Sequence, residues 1–350
     1  MLIDAVELVD ALGDPKASEA FAAVLGVPVL AVDVPDGAAA AALSTLATSE
    51  EAKALPCVLV LIGPDPNVFE GCGHVPLLLG DVLLTDDPAA PRPFVAPEDG
   101  AREGLRAIEG VADTNPIAAT SLALLLRSAE GLDVPAGLVA ESATYSALQA
   151  NAEFFRWRAT RPQRPAADQG DQRVRVERDQ NTLTITMTRP RRRNALDAAM
   201  RDALADAFAL AASDREVAVE LRGQGKDFCA GGDLDEFGSR PDPGLAHLTR
   251  LTRSPARLLH GLAGRTTAYL HGACLGAGAE LPSFAGKVIA APDVSLGLPE
   301  VSLGLVPGAG GTVSLPRRIG RQRTAYLGLS GRRVDAAEAL RWGLVDAIEE

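Results

Sequence analysis

Along the second half of the chain the apolar positions alternate between two rhythms. Val174–Glu177 and Leu183–Met187 exchange apolar and polar side chains with the period of a half-buried strand, and Asp179–Asn181 supplies a short turn between them. Asp197 stands where a helix needs an N-cap. Ala199, Leu204, Ala207, Phe208 and Ala211 follow at helical spacing, which predicts a helix to about Ala212. Val217–Leu221 reads as a buried strand that leads into a Gly-rich loop. The alternation continues with a helix over Leu245–Leu262, a strand over Thr267–Leu270, a helix from Gly276 to about Ala285, and strands at Val288–Ala290 and Val294–Leu296. Short helices near Gly311–Ile319, Gln322–Gly328 and Ala336–Trp342 precede a last strand at Leu344–Ile348. Strands alternating with helices put this half in the α/β class.

The first half is less regular. Val29–Val32 and Cys57–Leu61 read as buried strands, and Ala20–Leu25 and Ala38–Leu46 as helices, a smaller α/β region. Ile117–Ala129 and Val139–Trp157 follow as two helices with apolar faces, divided at Asp133-Val-Pro-Ala-Gly137. Arg161-Pro-Gln-Arg-Pro-Ala-Ala-Asp-Gln-Gly170 carries prolines and polar residues without large aliphatics, the composition of a linker. The expected division is therefore residues 1–160, a linker at 161–171, and a second domain at 172–350. No fixed-period repeat is present.

Composition narrows the function classes. Of the 350 residues 47% are hydrophobic and 23% charged, as in ordinary globular proteins. Residues 1–150 carry 6 Lys/Arg against 22 Asp/Glu, and the remainder 28 against 24. So acidic a half argues against nucleic acid as a partner, because polyphosphate affinity needs a cationic face. The basic excess runs from Arg156 through Arg161, Arg164, Arg173 and Arg175 to Arg189–Arg193, either a solvated surface or a docking face for a phosphorylated ligand. Cys57, Cys72, Cys229 and Cys274 have neither disulfide-framework nor metal-ligand spacing, so no metal is expected. The apolar runs Val58–Ile62 and Val75–Leu84 are too short to span a bilayer, and the N-terminus lacks the basic start of a signal peptide. A cytoplasmic protein without membrane contact is expected. His74, His260 and His271 are read as structural or solvated.

Three stretches carry candidate chemistry. In Gly276-Ala-Gly-Ala-Glu280, small residues at a strand-to-helix junction leave backbone N–H groups approachable, although the same residues suit tight helix–sheet packing. Asp227-Phe-Cys-Ala-Gly-Gly-Asp233 is a second loop of this kind. Backbone donors at Ala230 and Ala277 would together make an oxyanion hole, each worth on the order of 3 kcal/mol in a transition state. Glu280 serves either the helix dipole or catalysis. Glu300, between Pro299 and Val301 after an apolar strand, needs a reason to be buried. Two carboxylates in one pocket couple their titrations, and such a pair can take a proton from water and give one to carbon. Neither a Gly-x-Ser-x-Gly elbow nor a nucleotide-binding fingerprint occurs.

Five stretches in order, Arg189-Pro…Asn194-Ala-Leu196, Phe228–Asp233, Gly276–Leu281, Leu298–Thr312 and Ser330–Val345, closely resemble the crotonase (enoyl-CoA hydratase/isomerase) family over about residues 172–350. The resemblance implies a spiral of ββα units that binds acyl-CoA, here preceded by the smaller α/β region ending in helices. It implies oxyanion donors at Ala230 and Ala277, and CoA contacts at Arg191, Arg193, Ala230, Asp233 and Leu234. The hydratases of the family keep two catalytic glutamates, which match Glu280 and Glu300. Hydration of a 2-enoyl-CoA thioester is therefore the expected activity, with CoA as part of the substrate, no separate cofactor, and a homo-oligomer (trimer or hexamer) as the expected assembly.

The chain also departs from the family. Ala277 replaces a common glycine, and Pro282, two residues past Glu280, is expected to disturb the helix that positions it. Family members continue past the point where this chain stops at Glu350, into helices that cover the acyl pocket and build trimers. Gly137–Trp157 is similar to helical segments found near crotonase cores, so Ile117–Trp157 is expected to pack where those helices would. Alternative readings are an enoyl-CoA isomerase, a cofactor-independent arylacetyl-CoA dioxygenase with a similar N-terminal extension, and a non-catalytic acyl-CoA-binding or assembly partner.

Overall fold

A computed structural model describes residues 1–349 except 15, 47–48, 64, 70–77, 162–171 and 240–241. Cys72, His74 and all of the expected linker but Arg161 thus lie outside the described residues, as do positions 75–77 of the Val75–Leu84 run. The chain forms two compact units. The first comprises Met1–Glu130, Val301–Val306 and Ile319–Arg332; the second comprises Gly131–Glu300, Pro307–Arg318 and Arg333–Glu350.

The first unit is built on a parallel sheet in the order β1 (Leu2–Asp4), β2 (Val29–Asp33), β3 (Val58–Ile62) and β4 (Val82–Leu84). Every residue of β3 is buried, as the unbroken apolar run requires of a strand covered on both faces. The helices Ala101–Thr114 and Pro116–Ser128 pack in this unit with Arg321–Ser330. Its most demanding feature is ionic. Asp81, 1% exposed, takes Arg127 Nε at 2.7 Å and Nη2 at 2.5 Å, and also accepts the Leu59 N–H at 2.8 Å. Arg127 spends its remaining donors on the carbonyls of Leu55 and Cys57 at 2.8 and 2.7 Å. Burial of this pair is tolerated because the hydrogen bonds around both charges are filled.

In the second unit a six-stranded sheet runs in the order β13-β10-β8-β7-β6-β5. Its strands are β5 (Val174–Asp179), β6 (Thr182–Met187), β7 (Ala218–Gly223), β8 (Thr266–Leu270), β10 (Lys287–Ala290) and β13 (Ala347–Ile348). Only the β5–β6 hairpin is antiparallel. A second sheet holds β9 (Ala273–Leu275), β11 (Ser295–Gly297) and β12 (Arg333–Asp335). The connections form a spiral. The chain passes from β8 in the large sheet to β9 in the small one and then into the helix Ala277–Glu280. One turn later it passes from β10 to β11 and into the 3-10 turn starting at Glu300. Below these, the segment after β7 continues the small sheet through a parallel bridge from Cys229 to Cys274, and Leu196, after β6, bridges Gly232.

Several expectations shift in detail. The helix expected over Leu245–Leu262 is two, Pro243–Thr252 and Pro255–Gly261, because Pro255 cannot donate within a continuous helix and Ser254 caps the second. The break expected at Asp133–Gly137 is a helix start: Asp133 caps Val134–Gln149, where Pro135 occupies the first turn, and the real interruption is at Asn151, which caps Ala152–Ala159. The division by packing also differs from one at 161–171. It falls at Glu130–Gly131, because the buried face of Val134–Gln149 packs on Pro243–Thr252 in the second unit. Of Ile117–Trp157, only the part from Gly131 onward belongs with that unit.

The Arg127→Leu variant is expected to lose about 3–5 kcal/mol, since it strands a buried carboxylate. Urea unfolding measures this, and a midpoint equal to the parent's would show that the pair contributes nothing.

Candidate active site

β9 and β11 are adjacent parallel strands of the small sheet, with Leu275 opposite Gly297. Whatever follows the two strands must leave from the same edge. Glu280 comes five residues after Leu275 and Glu300 three after Gly297, so the spiral itself sets the two carboxylates side by side. Both are buried, at 2% and 7% exposure. Gly276 is favoured by its φ of +50°, and a Cβ there would lie 2.1 Å from Glu300 Oε1 and displace that carboxylate.

Glu280 is held by a distant loop more than by its own helix. Its Oε2 accepts the N–H groups of Ala309 at 2.7 Å and Gly311 at 2.8 Å, and its carbonyl accepts Ser314 Oγ at 2.8 Å. The helix expected to reach Ala285 ends as an α-turn at Glu280 and resumes as a 3-10 turn over Pro282–Phe284. Pro282 therefore shortens the helix, while the Ala309–Gly311 donors fix the carboxylate.

A third carboxylate completes the arrangement. Glu141, in the helix Val134–Gln149 and 2% exposed, accepts Gly310 N–H at 2.7 Å, Thr312 N–H at 2.9 Å and Thr312 Oγ1 at 2.7 Å. Successive N–H groups from Ala309 to Thr312 thus alternate between Glu280 and Glu141. The sequence did carry a signal for this residue. Leu138, Glu141, Tyr145 and Leu148 are spaced as one helical face and all are buried, so an acid stands in an apolar stripe.

A cavity of about 200 Å³ opens beside the pair, lined by Glu280, Glu300, Gly232, Ala277, Ala309 and Arg250, among others. The expectation at Ala230 requires correction. Its N–H already donates to the Arg193 carbonyl at 2.9 Å, and the residue does not line the cavity. Gly232, two residues on, does line it, and its N–H meets no acceptor among the described residues. The same holds for Ala277, whose N–H precedes the helical bonding pattern. The two loops approach closely, since a Cβ on Gly231 would lie 3.0 Å from the Leu275 carbonyl oxygen.

Burial raises all three acids. Glu300 is pushed up to about 8 and Glu141 to about 7; Glu280 is also raised well above the ordinary range, by burial and then by the charge of Glu300. The hydrogen bonding differs sharply between the pair. Glu280 receives two backbone donors, which favour its charged form. Glu300 Oε2 is buried with no partner among the described residues, which favours a proton there.

The residues expected at CoA divide. Asp233 lines the cavity but is neutralised by Arg189 at 2.6 Å, which also reaches Asp197 at 3.4 Å. Arg193 pairs with Asp227 at 2.7 Å. Arg191 is exposed, and Leu234 is half-buried beside the loop. None of these last three lines the cavity, nor do His260 and His271. Among the described residues no cluster of acids, histidines and cysteines is arranged to hold a metal, and no helix is long and apolar enough to cross a membrane.

Residues 177–349 match the family model described as enoyl-CoA hydratase/isomerase. The chain is 36% identical over 176 residues to the 2,3-dehydroadipyl-CoA hydratase of Escherichia coli, covering 49% of this chain and 68% of that protein. The chain belongs to the enoyl-CoA hydratase/isomerase family. It is also 34% identical over 177 residues to the mevalonyl-coenzyme A hydratase of Beauveria bassiana, 48% of this chain and 63% of that one. A crystal structure of enoyl-CoA hydratase from Thermoplasma volcanium GSS1 is 36% identical, covers 51% of this chain and 71% of its own, and superposes with a TM-score of 0.45. Glu280 and Glu300 lie within the matched family segment; Glu141 lies outside it.

A carboxyl held above its unfolded value keeps its proton longer in the folded state, so it costs stability as pH rises from about 4.5 through its folded value. For Glu300 that window runs from about 4.5 to about 8. Relative to the parent, Glu300→Gln is expected to gain a few kcal/mol, an order-of-magnitude figure, across this window. Denaturant unfolding at a series of pH values measures the difference, and a pH-independent difference would contradict the raised value.

Proposed function

We propose that the protein hydrates a 2-enoyl-CoA thioester. The observation that carries this reading is one cavity lining that combines two buried carboxylates of unlike hydrogen bonding with two backbone N–H groups, of Gly232 and Ala277, that meet no acceptor among the described residues. Two relatives named as hydratases of CoA-linked substrates support it at the level of reaction class.

In this reading the thioester carbonyl oxygen lies against the N–H groups of Gly232 and Ala277. Glu280, steadied through Oε2, takes a proton from water as the water oxygen bonds to C3. The C2=C3 electrons move onto the carbonyl oxygen, and the resulting enolate is stabilised by the two donors, each worth on the order of 3 kcal/mol. As the enolate collapses, Glu300 gives its proton to C2. A final proton exchange between the acids restores the starting state. A buried acid held near 8 is suited to the donor role at neutral pH. Arg191 is the exposed cation proposed to meet the CoA phosphates, and an oligomeric assembly remains the family-based expectation.

Glu280→Gln and Glu300→Gln are each expected to lower kcat by about 10²–10⁴-fold while acyl-CoA still binds. Loss of the conjugated enoyl absorbance measures turnover. Near-parental kcat in either variant would remove that residue from the mechanism, and double-bond migration or oxygen uptake in place of hydration would replace the reaction. Arg191→Ala is expected to weaken CoA binding more at low than at high salt, because an exposed charge is screened. A salt-independent effect would exclude a phosphate contact.

A further inference from the structure

The cavity wall also includes Arg250, in the helix Pro243–Thr252. A second cavity of about 130 Å³ also includes Arg250 in its wall, together with Leu138, Leu251, Leu281 and Arg253. Arg250 therefore stands where the two spaces meet.

Its surroundings are unusual for a guanidinium. Nε donates to Ser142 Oγ at 3.0 Å, Nη2 to the Ser142 carbonyl at 3.1 Å and to the Ser146 hydroxyl, and Nη1 reaches Gln149 Oε1 only at 3.4 Å. The guanidinium carbon lies 4.7 Å from the centre of the Tyr145 ring. Every acceptor is neutral. A guanidinium has five N–H donors, so one on Nη1 meets no acceptor among the described residues. The other arginines in these walls are paired with acids. Arg201 is bonded to Asp202 at 2.7 Å, and Arg253 to Asp202 and Asp206 at 3.4 and 2.9 Å. Glu141 feels the charge of Arg250, but both its oxygens are committed to Gly310 and Thr312. Burial opposes the positive charge of Arg250, Tyr145 and Glu141 favour it, and the nearby Arg201 adds to the opposition. A partly buried cation whose hydrogen-bond acceptors are all neutral is costly unless an anion joins it.

Building on the enoyl-CoA reading, we infer that the acyl chain of the substrate ends in a carboxylate, which Arg250 binds where the two cavities meet. The shared wall favours this over a CoA phosphate. Arg250 lines the same cavity as Glu280 and Glu300, which attend the acyl side of the thioester, whereas the CoA phosphates are assigned to the exposed Arg191. The free Nη1 N–H supplies a charge-assisted hydrogen bond, and Gln149 stands beside it.

The test compares two 2-enoyl-CoA thioesters of equal chain length, one ending in a carboxylate and the other in a methyl group. In the parent, kcat/KM is expected to favour the carboxylate by about tenfold or more. Arg250→Met is expected to bring the ratio to about one, chiefly through KM for the carboxylate substrate, and Arg250→Lys to restore part of it. A parental ratio at or below one overturns the inference. So does an Arg250→Met variant in which both substrates weaken by the same factor, as a phosphate contact would predict. Calorimetric binding of the matching saturated acyl-CoA pair needs no turnover. If neither enoyl thioester is hydrated but the carboxylate-ended analogue still binds about tenfold tighter, the hydratase reading fails and the Arg250 inference holds. Equal binding of the two analogues overturns the inference.

Discussion

Four consecutive backbone N–H groups, from Ala309 to Thr312, hold two acids in place and thereby organise the site. Ala309 and Gly311 serve Glu280, while Gly310 and Thr312 serve Glu141. Backbone donors exact little entropy because they move only with the chain, and those at Gly311 and Thr312 open the helix Gly311–Ile319, where unpaired N–H groups favour negative charge. The loop must be glycine-rich for the carboxylates to come this close: a Cβ on Gly311 would lie 2.6 Å from Glu280 Cγ. Removing one acid would therefore free donors that the other does not use, and the loop that fixes Glu280 would lose one of its two supports.

The polar groups around the cavity differ according to how fully they are satisfied. Asp233, Arg193 and Arg201 are matched by opposite charges, so they shape the surroundings without adding net field. Glu300 and Arg250 are not so matched. Among the described residues, the first has a buried oxygen without a partner and the second a guanidinium whose hydrogen bonds all go to neutral acceptors. Incomplete satisfaction of this kind is costly in a folded chain and tends to mark the groups that act on a ligand.

Much of this was legible in the sequence where a local rule sufficed. Asp197 caps Ala198–Ser213 as its position suggested, and the alternation at Val174–Met187 became a hairpin with Gln180 at positive φ. The α/β class and the ordered motifs of residues 172–350 were likewise readable, and with them Glu280 and Glu300. What escaped was set by contacts distant in sequence. Ala230 is the expected donor, but the Arg193 carbonyl occupies its N–H, and Gly232 lines the cavity instead. Glu141 lies 169 residues from the Gly310 N–H it accepts, and only its place in an apolar stripe hinted at burial. The two-residue helix break at Arg253–Ser254 has its local signal in Pro255, which the expectation of one helix over Leu245–Leu262 did not use.

Glycine at 276 is occupied, in effect, from outside: the volume its side chain would fill already contains Glu300 Oε1. Any side chain introduced at 276 would therefore push the Glu300 carboxylate out of its present seat, so a residue with no side chain of its own acts as a gauge that keeps the acid in register.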